Sequence, residues 1–304
     1  MSKAIVFYEP GGPEVLRLID VPEPQAGPGE VQIRVKAAGV QPFDIAVVEG
    51  WLPAGADAGY PRIPGNEFAG IVNQVGAGVT GFAVGDEVLG FGLLNSYREH
   101  LVVPVEQVIA KPASMPWEVA GGFTAGAQTA HIALREMEVG EGDTLLVHGA
   151  AGSVGTIAVQ LARHWGAKVI GAARETQHDY LCSLGALPIA YGDDFVERVK
   201  SLAPEGVTAS LDGVGGVALD ASLKLIKDRG RILTLVEHQK AADLGVRLTP
   251  PKRSAARLAE LADLFAQGKL TVHIRETFPL ARAAEAHRSY KAGNIRGKIV
   301  LTVN

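Results

Sequence analysis

The stretch Thr144-Leu-Leu-Val-His-Gly-Ala-Ala-Gly-Ser-Val-Gly-Thr-Ile-Ala-Val-Gln-Leu-Ala162 decides how the chain is read. An apolar run enters Gly149, and helical spacing of apolar side chains begins at about Ser153. That pattern is a buried strand turning sharply into a helix. Glycines at such a corner let the backbone approach a pyrophosphate closely, and the N–H groups of the first helical turn, which lack partners in the helix, face the anion. Gly149, Gly152 and Gly155 are spaced G-x-x-G-x-x-G rather than the usual G-x-G-x-x-G. Packing alone can also demand glycine at such a turn. A second strand at residues 168–172 completes a β-α-β unit of the expected length, so the turn is read as a dinucleotide site.

The end of that second strand selects the dinucleotide. An acidic residue there would hold a ribose 2′-hydroxyl. Here the strand ends in Gly171-Ala172-Ala173-Arg174. The two alanines leave space, and Arg174 can pair bidentately with a 2′-phosphate, so NADP(H) is the expected cofactor. Glu175 follows directly and is read as the first acid of the next helix, where the helix dipole favours it.

Outward from this unit, strands are expected at residues 187–191, 209–212 and 231–236. Helices are expected at 153–165, 177–184, 195–202, 218–225 and 252–267. Strand and helix alternate here, as in a parallel sheet covered on both faces. Upstream, Gly- and Pro-rich sequence separates short β-branched runs at 4–8, 31–37, 69–75, 87–90 and 100–103, the texture of a mostly antiparallel β domain. The tail reads strand 272–277, helix 280–292, strand 298–303. Three segments result: 1–122, 123–269 and 270–304.

Of the 304 residues 47% are apolar and 20% charged, with net charge −4. No basic stripe suggests a nucleic-acid surface, and no apolar run reaches membrane-spanning length. The first residues show no secretory h-region, so a cytoplasmic protein is expected. The single cysteine, Cys182, is expected as a small core residue on a helix and excludes an internal disulfide.

Several motifs in order resemble one family. They are Ala37-Ala-Gly-Val-Gln-Pro-Phe-Asp44, Ile63-Pro-Gly-Asn-Glu-Phe-Ala-Gly70, Phe82-Ala-Val-Gly-Asp-Glu-Val88, the turn at 149–155, Leu211-Asp-Gly-Val-Gly-Gly216, residues 283–288, and Arg296-Gly-Lys-Ile-Val-Leu301. The chain is similar to the medium-chain dehydrogenase/reductase superfamily in its zinc-independent quinone oxidoreductase branch. The resemblance implies an α/β protein: a GroES-like β domain carrying catalysis and substrate (1–122), a doubly wound Rossmann domain (123–269), and a C-terminal return to the first domain (270–304). It also implies a homodimer through Rossmann sheet edges, with cofactor and substrate between the domains.

By the same resemblance, Ser153 and Val154 lie in the pyrophosphate turn, Thr129 near the nicotinamide and Tyr191 near the adenosine phosphate. Val214 and Val236 fall in the loops after the fourth and fifth strands, and Arg296 either reaches the cofactor or lies on the surface. Gln41 stands where the branch usually has Asn beside the nicotinamide ribose or substrate carbonyl. Asp44 either orients it or caps the helix that follows, and Thr129 is alternatively a helix hydroxyl bonded to the preceding turn.

The zinc-dependent pattern is missing. Gln41 and Asp44 occupy the first ligand region, Asn66 stands where His would be, and the four-cysteine lobe is absent. Zinc is therefore not expected. A metal-free site suits a conjugated acceptor, which delocalises the charge arriving with hydride, so the expected substrate is a quinone or an α,β-unsaturated carbonyl compound. Some enoyl reductases of the superfamily place a tyrosine in Gly-x-Tyr-Pro. This chain has Gly50-Trp-Leu-Pro53, leaving Trp51 and Tyr60 as candidate pocket aromatics. An enoyl-thioester reductase and a weakly catalytic NADPH-binding protein are the alternatives.

Overall fold

The computed structural model describes residues 1–293 and 296–303; positions 294, 295 and 304 of the C-terminal segment lie outside the described residues. The chain forms two compact units. Unit 1 comprises Met1–Ala125, Ser254–Ala266 and His273–Asn304, and unit 2 comprises Gly126–Arg253 and Gln267–Val272.

In unit 1, β1 (Ser2–Val6) pairs antiparallel with β2 (Arg17–Val21). Then come β3 (Glu30–Val40), helix α1 (Pro42–Val48), β4 (Glu67–Val75), β5 (Glu87–Phe91), β6 (His100–Pro104), β7 (Val108–Ala110) and α2 (Trp117–Gly121). Helix α3 (Thr124–Glu136) leads into unit 2.

Unit 2 holds β8 (Thr144–His148), α4 (Ser153–His164), β9 (Lys168–Ala172), α5 (His178–Ser183), β10 (Leu187–Ile189) and α6 (Phe195–Leu202). It continues with β11 (Ala209–Asp212), α7 (Val217–Leu225), β12 (Ile232–Thr234), α8 (Ala241–Leu244) and β13 (Arg247–Leu248). The chain closes in unit 1 with α9 (Ala255–Ala266), β14 (Ile274–Pro279), α10 (Ala283–Lys291) and β15 (Lys298–Thr302).

The six strands of unit 2 run parallel in the order β10-β9-β8-β11-β12-β13. Leu145, Leu146 and Val147 are fully buried, which is why β8 reads as a continuous apolar run rather than an alternation. Helix α4 buries Ile157, Ala158, Val159, Leu161 and Ala162. After β8 the chain builds β9 and β10 on one side, then returns to place β11 on the other. The order of strands therefore reverses beside β8, and ligands of doubly wound sheets sit at the carboxyl ends of the strands at that point.

The large sheet of unit 1 runs β14-β15-β3-β4-β5-β7, with β6 also paired to β3. The tail returns as expected: β15 pairs antiparallel with β3, Ile299 opposite Val40. Phe7, Ile33, Phe68, Leu101, Ile299 and Leu301 share its core. Burial of each such side chain contributes roughly 1.5–3 kcal/mol.

Two strands end earlier than expected. The one read as 187–191 stops at Ile189, and the one read as 231–236 covers Ile232–Thr234, so Tyr191 and Val236 stand in the loops beyond. The apolar pattern runs on past the last ladder pair, which is what misplaced both ends. Cys182 is a correction: it lies on α5 but is exposed, because the buried face of that helix is carried by Leu181.

Candidate functional site

Each unit presents its own cluster of polar groups. In unit 2 the glycine turn joins β8 to α4. Gly149 has φ +71°, a left-handed conformation costly for a residue with a side chain. Gly152 is the N-cap of α4 and has no side chain to satisfy the first helical N–H groups. Ser153, Val154 and Gly155 therefore begin the helix with N–H groups that have no partner within it, at the positive end of its dipole. A Cβ on Gly155 would lie 2.4 Å from the Gly149 carbonyl oxygen and 2.7 Å from Ala150 Cα, so only glycine lets helix and turn pack this closely.

Next to the turn, Ala172 and Ala173 are buried and Arg174 is exposed. The Gly149 N–H donates to the Tyr191 hydroxyl at 3.2 Å. On the other side of β8, the buried Asp212 organises two loops at once. Its Oδ1 accepts from the N–H groups of Val214 (2.9 Å) and Gly215 (2.8 Å), and its Oδ2 accepts from Thr234 Oγ1 at 2.7 Å. Thr234 Oγ1 in turn accepts from the N–H groups of Val236 (3.2 Å) and Glu237 (3.1 Å). These bonds leave Val214, Val236 and Tyr191 as exposed apolar side chains beyond the carboxyl ends of the strands. The arrangement is an anion-binding turn beside a shelf of apolar surface. Thr129 is half-buried on α3 in the same unit.

Unit 1 holds a buried cluster around α1. Gln41 is its N-cap: the Gln41 N–H donates to Asp44 Oδ2 at 3.0 Å, and the Gln41 side-chain amide donates to Asn66 Oδ1. The bond to Asp44 comes from the Gln41 backbone and is the capping bond of α1; the Gln41 side-chain amide is held by Asn66. Tyr97 donates its hydroxyl to the same Asp44 oxygen at 3.2 Å, and His287 Nε2 lies 3.3 Å from that hydroxyl.

Beside them Lys298 Nζ pairs with Glu67 Oε1 at 2.5 Å, both side chains almost wholly inaccessible. Glu67 Oε2 accepts from the Ala125 N–H at 2.7 Å, in the first turn of α3. A Cβ on Gly39 would lie 1.9 Å from Glu67 Oε1, so the glycine in β3 makes room for the pair. Burial, with Glu67 adding repulsion, pushes Asp44 up to about 7 against the attraction of Lys298. Burial likewise holds the Tyr97 hydroxyl well above its ordinary range and His287 down at about 4.

The candidate pocket aromatics are not brought together. Trp51 packs edge-on against Phe43, with centroids 5.2 Å apart. Tyr60 packs on Phe7, lies under the Arg62 guanidinium, and lines a cavity of about 460 Å³ that does not include Trp51. Arg296 stands in unit 1, its Nε donating to His273 Nε2 at 3.2 Å. Sequence reasoning did not single out Tyr97, His287, Asp212 or Lys298 as site residues. Lys298 carries a signal, a lysine opening the apolar run Lys-Ile-Val-Leu; its partner Glu67 is remote in sequence.

Residues 27–113 match the family model described as an alcohol dehydrogenase GroES-like domain, and residues 184–301 match the one described as a zinc-binding dehydrogenase. A quinone oxidoreductase of Pseudomonas aeruginosa is 31% identical, with 99% of each chain covered. The pikromycin polyketide synthase component PikAII of Streptomyces venezuelae is 35% identical over 97% of this chain, which spans only 8% of that protein. Among solved structures, a mycobacterial protein complexed with NADPH superposes with a TM-score of 0.87 at 34% identity, covering 99% of this chain and 100% of that one. No helix among the described residues is long and apolar enough to cross a membrane.

Proposed function

This chain belongs to the quinone oxidoreductase branch of the medium-chain dehydrogenase/reductase superfamily, and we propose that it is an NADPH-dependent, zinc-free reductase of quinones or α,β-unsaturated carbonyl compounds. The observation that carries the cofactor assignment is the open turn at Gly149 to Gly155, with Ala172, Ala173 and Arg174 at the end of the neighbouring strand. The donors fit a dinucleotide: Ser153, Val154 and Gly155 offer N–H groups to the pyrophosphate, and Arg174 offers a fork to the 2′-phosphate. Val214, Val236 and Tyr191 offer apolar faces to the rings.

Bound there, the nicotinamide supplies the hydride. The protein's part is positioning and hydrogen bonding. We assign the second N–H of the Gln41 amide to the acceptor oxygen as charge develops on it. Asn66 holds the Gln41 amide, and Asp44, itself bonded by Tyr97, holds the Gln41 backbone.

The donor set does not fit zinc. Gln41 and Asn66 are amides bonded to each other, Glu67 is matched to Lys298, and Asp44 is committed to Gln41 and Tyr97. Zinc wants thiolate, imidazole and carboxylate ligands free to converge. A cytoplasmic homodimer belongs to the same proposal.

An NADPH-consumption screen against quinones, enones and acyl-thioesters, with NADH and added zinc as controls, tests this reading. The 35% identity to a polyketide synthase component supports a second reading, an enoyl-thioester reductase, which faster turnover of thioesters than of free enones would favour. NADPH binding without turnover of any acceptor would leave only a weakly catalytic binding protein.

Two substitutions probe the cofactor site. Arg174→Ala should weaken NADPH binding about tenfold or more, since a hydrogen bond to a charged group is worth about 1.5–3 kcal/mol, and leave NADH nearly unchanged. Equal effects on both dinucleotides in a binding titration would remove the 2′-phosphate assignment. Gly155→Ala should cost about 1–3 kcal/mol of stability through overpacking and weaken both dinucleotides. Thermal unfolding and the same titration read it, and wild-type behaviour in both would mean the turn is not so tightly closed.

A further inference from the structure

Beneath the turn runs a chain of hydrogen bonds with no assigned purpose. The Gly149 N–H donates to the Tyr191 oxygen at 3.2 Å, and that hydroxyl lies 3.4 Å from His148 Nδ1. His148 Nε2 lies 3.0 Å from Ser222 Oγ, which stands 2.8 Å from Ser210 Oγ and 3.3 Å from the Ala218 carbonyl oxygen. The rings of His148 and Tyr191 lie within 17° of parallel at 5.9 Å, and Phe195 packs against both, 5.3 Å from Tyr191 and 5.6 Å from His148. His148, Ser210 and Ser222 are buried.

The donor inventory fixes the direction of this chain. A backbone amide only donates, so the Tyr191 oxygen accepts from Gly149. Ser222 Oγ has one hydrogen and gives it to the Ala218 carbonyl oxygen, so it accepts from Ser210 and from His148 Nε2–H. A neutral imidazole with its hydrogen on Nε2 has an acceptor at Nδ1, and the Tyr191 hydrogen goes there. Every link is satisfied only in this tautomer. Burial pushes His148 down to about 4, against the pull of the nearby Asp212 carboxylate, which keeps the ring neutral at pH 7. A protonated ring would face the Tyr191 hydroxyl with a second donor and release it.

We infer that His148 is a positioning residue for dinucleotide binding: by accepting from Tyr191 it holds that hydroxyl against the Gly149 N–H and braces the turn that presents Ser153, Val154 and Gly155 to the pyrophosphate. This rests on the reading of the turn as a dinucleotide site. The brace acts on the pyrophosphate that NADPH and NADH share, whereas Arg174 acts on the 2′-phosphate alone. The two therefore separate by experiment.

Nitrogen NMR of the unliganded full chain should find His148 as the Nε2–H tautomer, unchanged from pH 8 to about 5.5, and Tyr191→Phe should shift its Nδ1 resonance. In titrations, His148→Leu and Tyr191→Phe should each weaken NADPH and NADH alike, by about threefold to tenfold, the worth of one neutral hydrogen bond. The double variant should be no weaker than either single one, because both remove one brace. His148→Asn, whose amide oxygen can take the Nδ1 position, should recover part of the loss. A charged or Nδ1–H imidazole, losses that multiply in the double variant, or unchanged affinities in folded His148→Leu or His148→Asn protein would overturn the inference. Brace variants that weaken both dinucleotides while Arg174→Ala weakens neither would uphold the brace and remove the NADP(H) preference. A wild-type chain that binds neither dinucleotide would overturn both.

Discussion

Lys298→Met should destabilise the protein by about 3–5 kcal/mol, the cost of leaving a buried carboxylate without its counter-charge. Lys298 and Glu67 sit 2.5 Å apart with side-chain exposures of 1% and 0%, so no solvent compensates the loss of either. Glu67 cannot turn to water, because its other oxygen is held by the Ala125 N–H and Gly39 lies against it. Methionine fills much of the lysine stem, so the loss reports charge more than volume. Adding Glu67→Gln should recover at least half of it: the amide oxygen still accepts from Ala125 and no lone charge remains. Because the chain has two units, the readout is the midpoint of the transition that unit 1 dominates, not a two-state fit. A Lys298→Met variant as stable as wild type, or a double variant less stable than the single, would show that the pair is not a buried ionic bond. Dinucleotide affinity in the folded variants is a separate measurement, since the pair and the glycine turn belong to different units.

Why the turn was legible and this pair was not follows from how each is encoded. The phosphate turn is local: strand, glycines and helix lie within residues 144–164, and the bounds expected for β8, β9, β11 and α6 coincide with those observed. Apolar runs and glycine positions carry that information in short windows. The cluster of unit 1 is assembled from β3, α1, β4, α10, β15 and the segments holding Asn66 and Tyr97, brought together by long-range contacts such as the pairing of Ile299 with Val40. Nothing in Lys298-Ile-Val-Leu names Glu67 as its partner. The ends of β10 and β12 were misjudged for a related reason. Tyr191 and Val236 look like strand residues by type, but hydrogen bonding to Gly149 and Thr234 holds them as loop residues facing outward. Exposure of Cys182 could not be read from its composition either, since small apolar residues suit both faces of a short helix.

Stability should fall as the pH rises from about 4 to about 7, and Asp44→Asn should abolish that part of the slope. The sign follows from linkage. Asp44 titrates at about 7 in the folded chain against 3.8 for the free side chain. Between those values the folded state holds a proton that the unfolded state has released, so raising the pH favours unfolding by about 1.4 kcal/mol per unit. Below the lower value the contribution is fully present; above the higher one it is gone. From pH 5 to 8 the variant should therefore gain on wild type by about 3 kcal/mol at most, read from denaturant unfolding at the two values.

The physical cause is a count of charges. Asp44 and Glu67 share one buried cation, Lys298, and only one of the two Asp44 oxygens is hydrogen-bonded. Asparagine keeps an oxygen for the Gln41 N–H and the Tyr97 hydroxyl while removing the surplus charge. A variant whose stability tracks that of wild type across this range would mean that Asp44 is ionised throughout, with Lys298 compensating both carboxylates. In that case Lys298→Met, which deletes the largest attraction acting on Asp44, should create the missing pH slope rather than steepen an existing one.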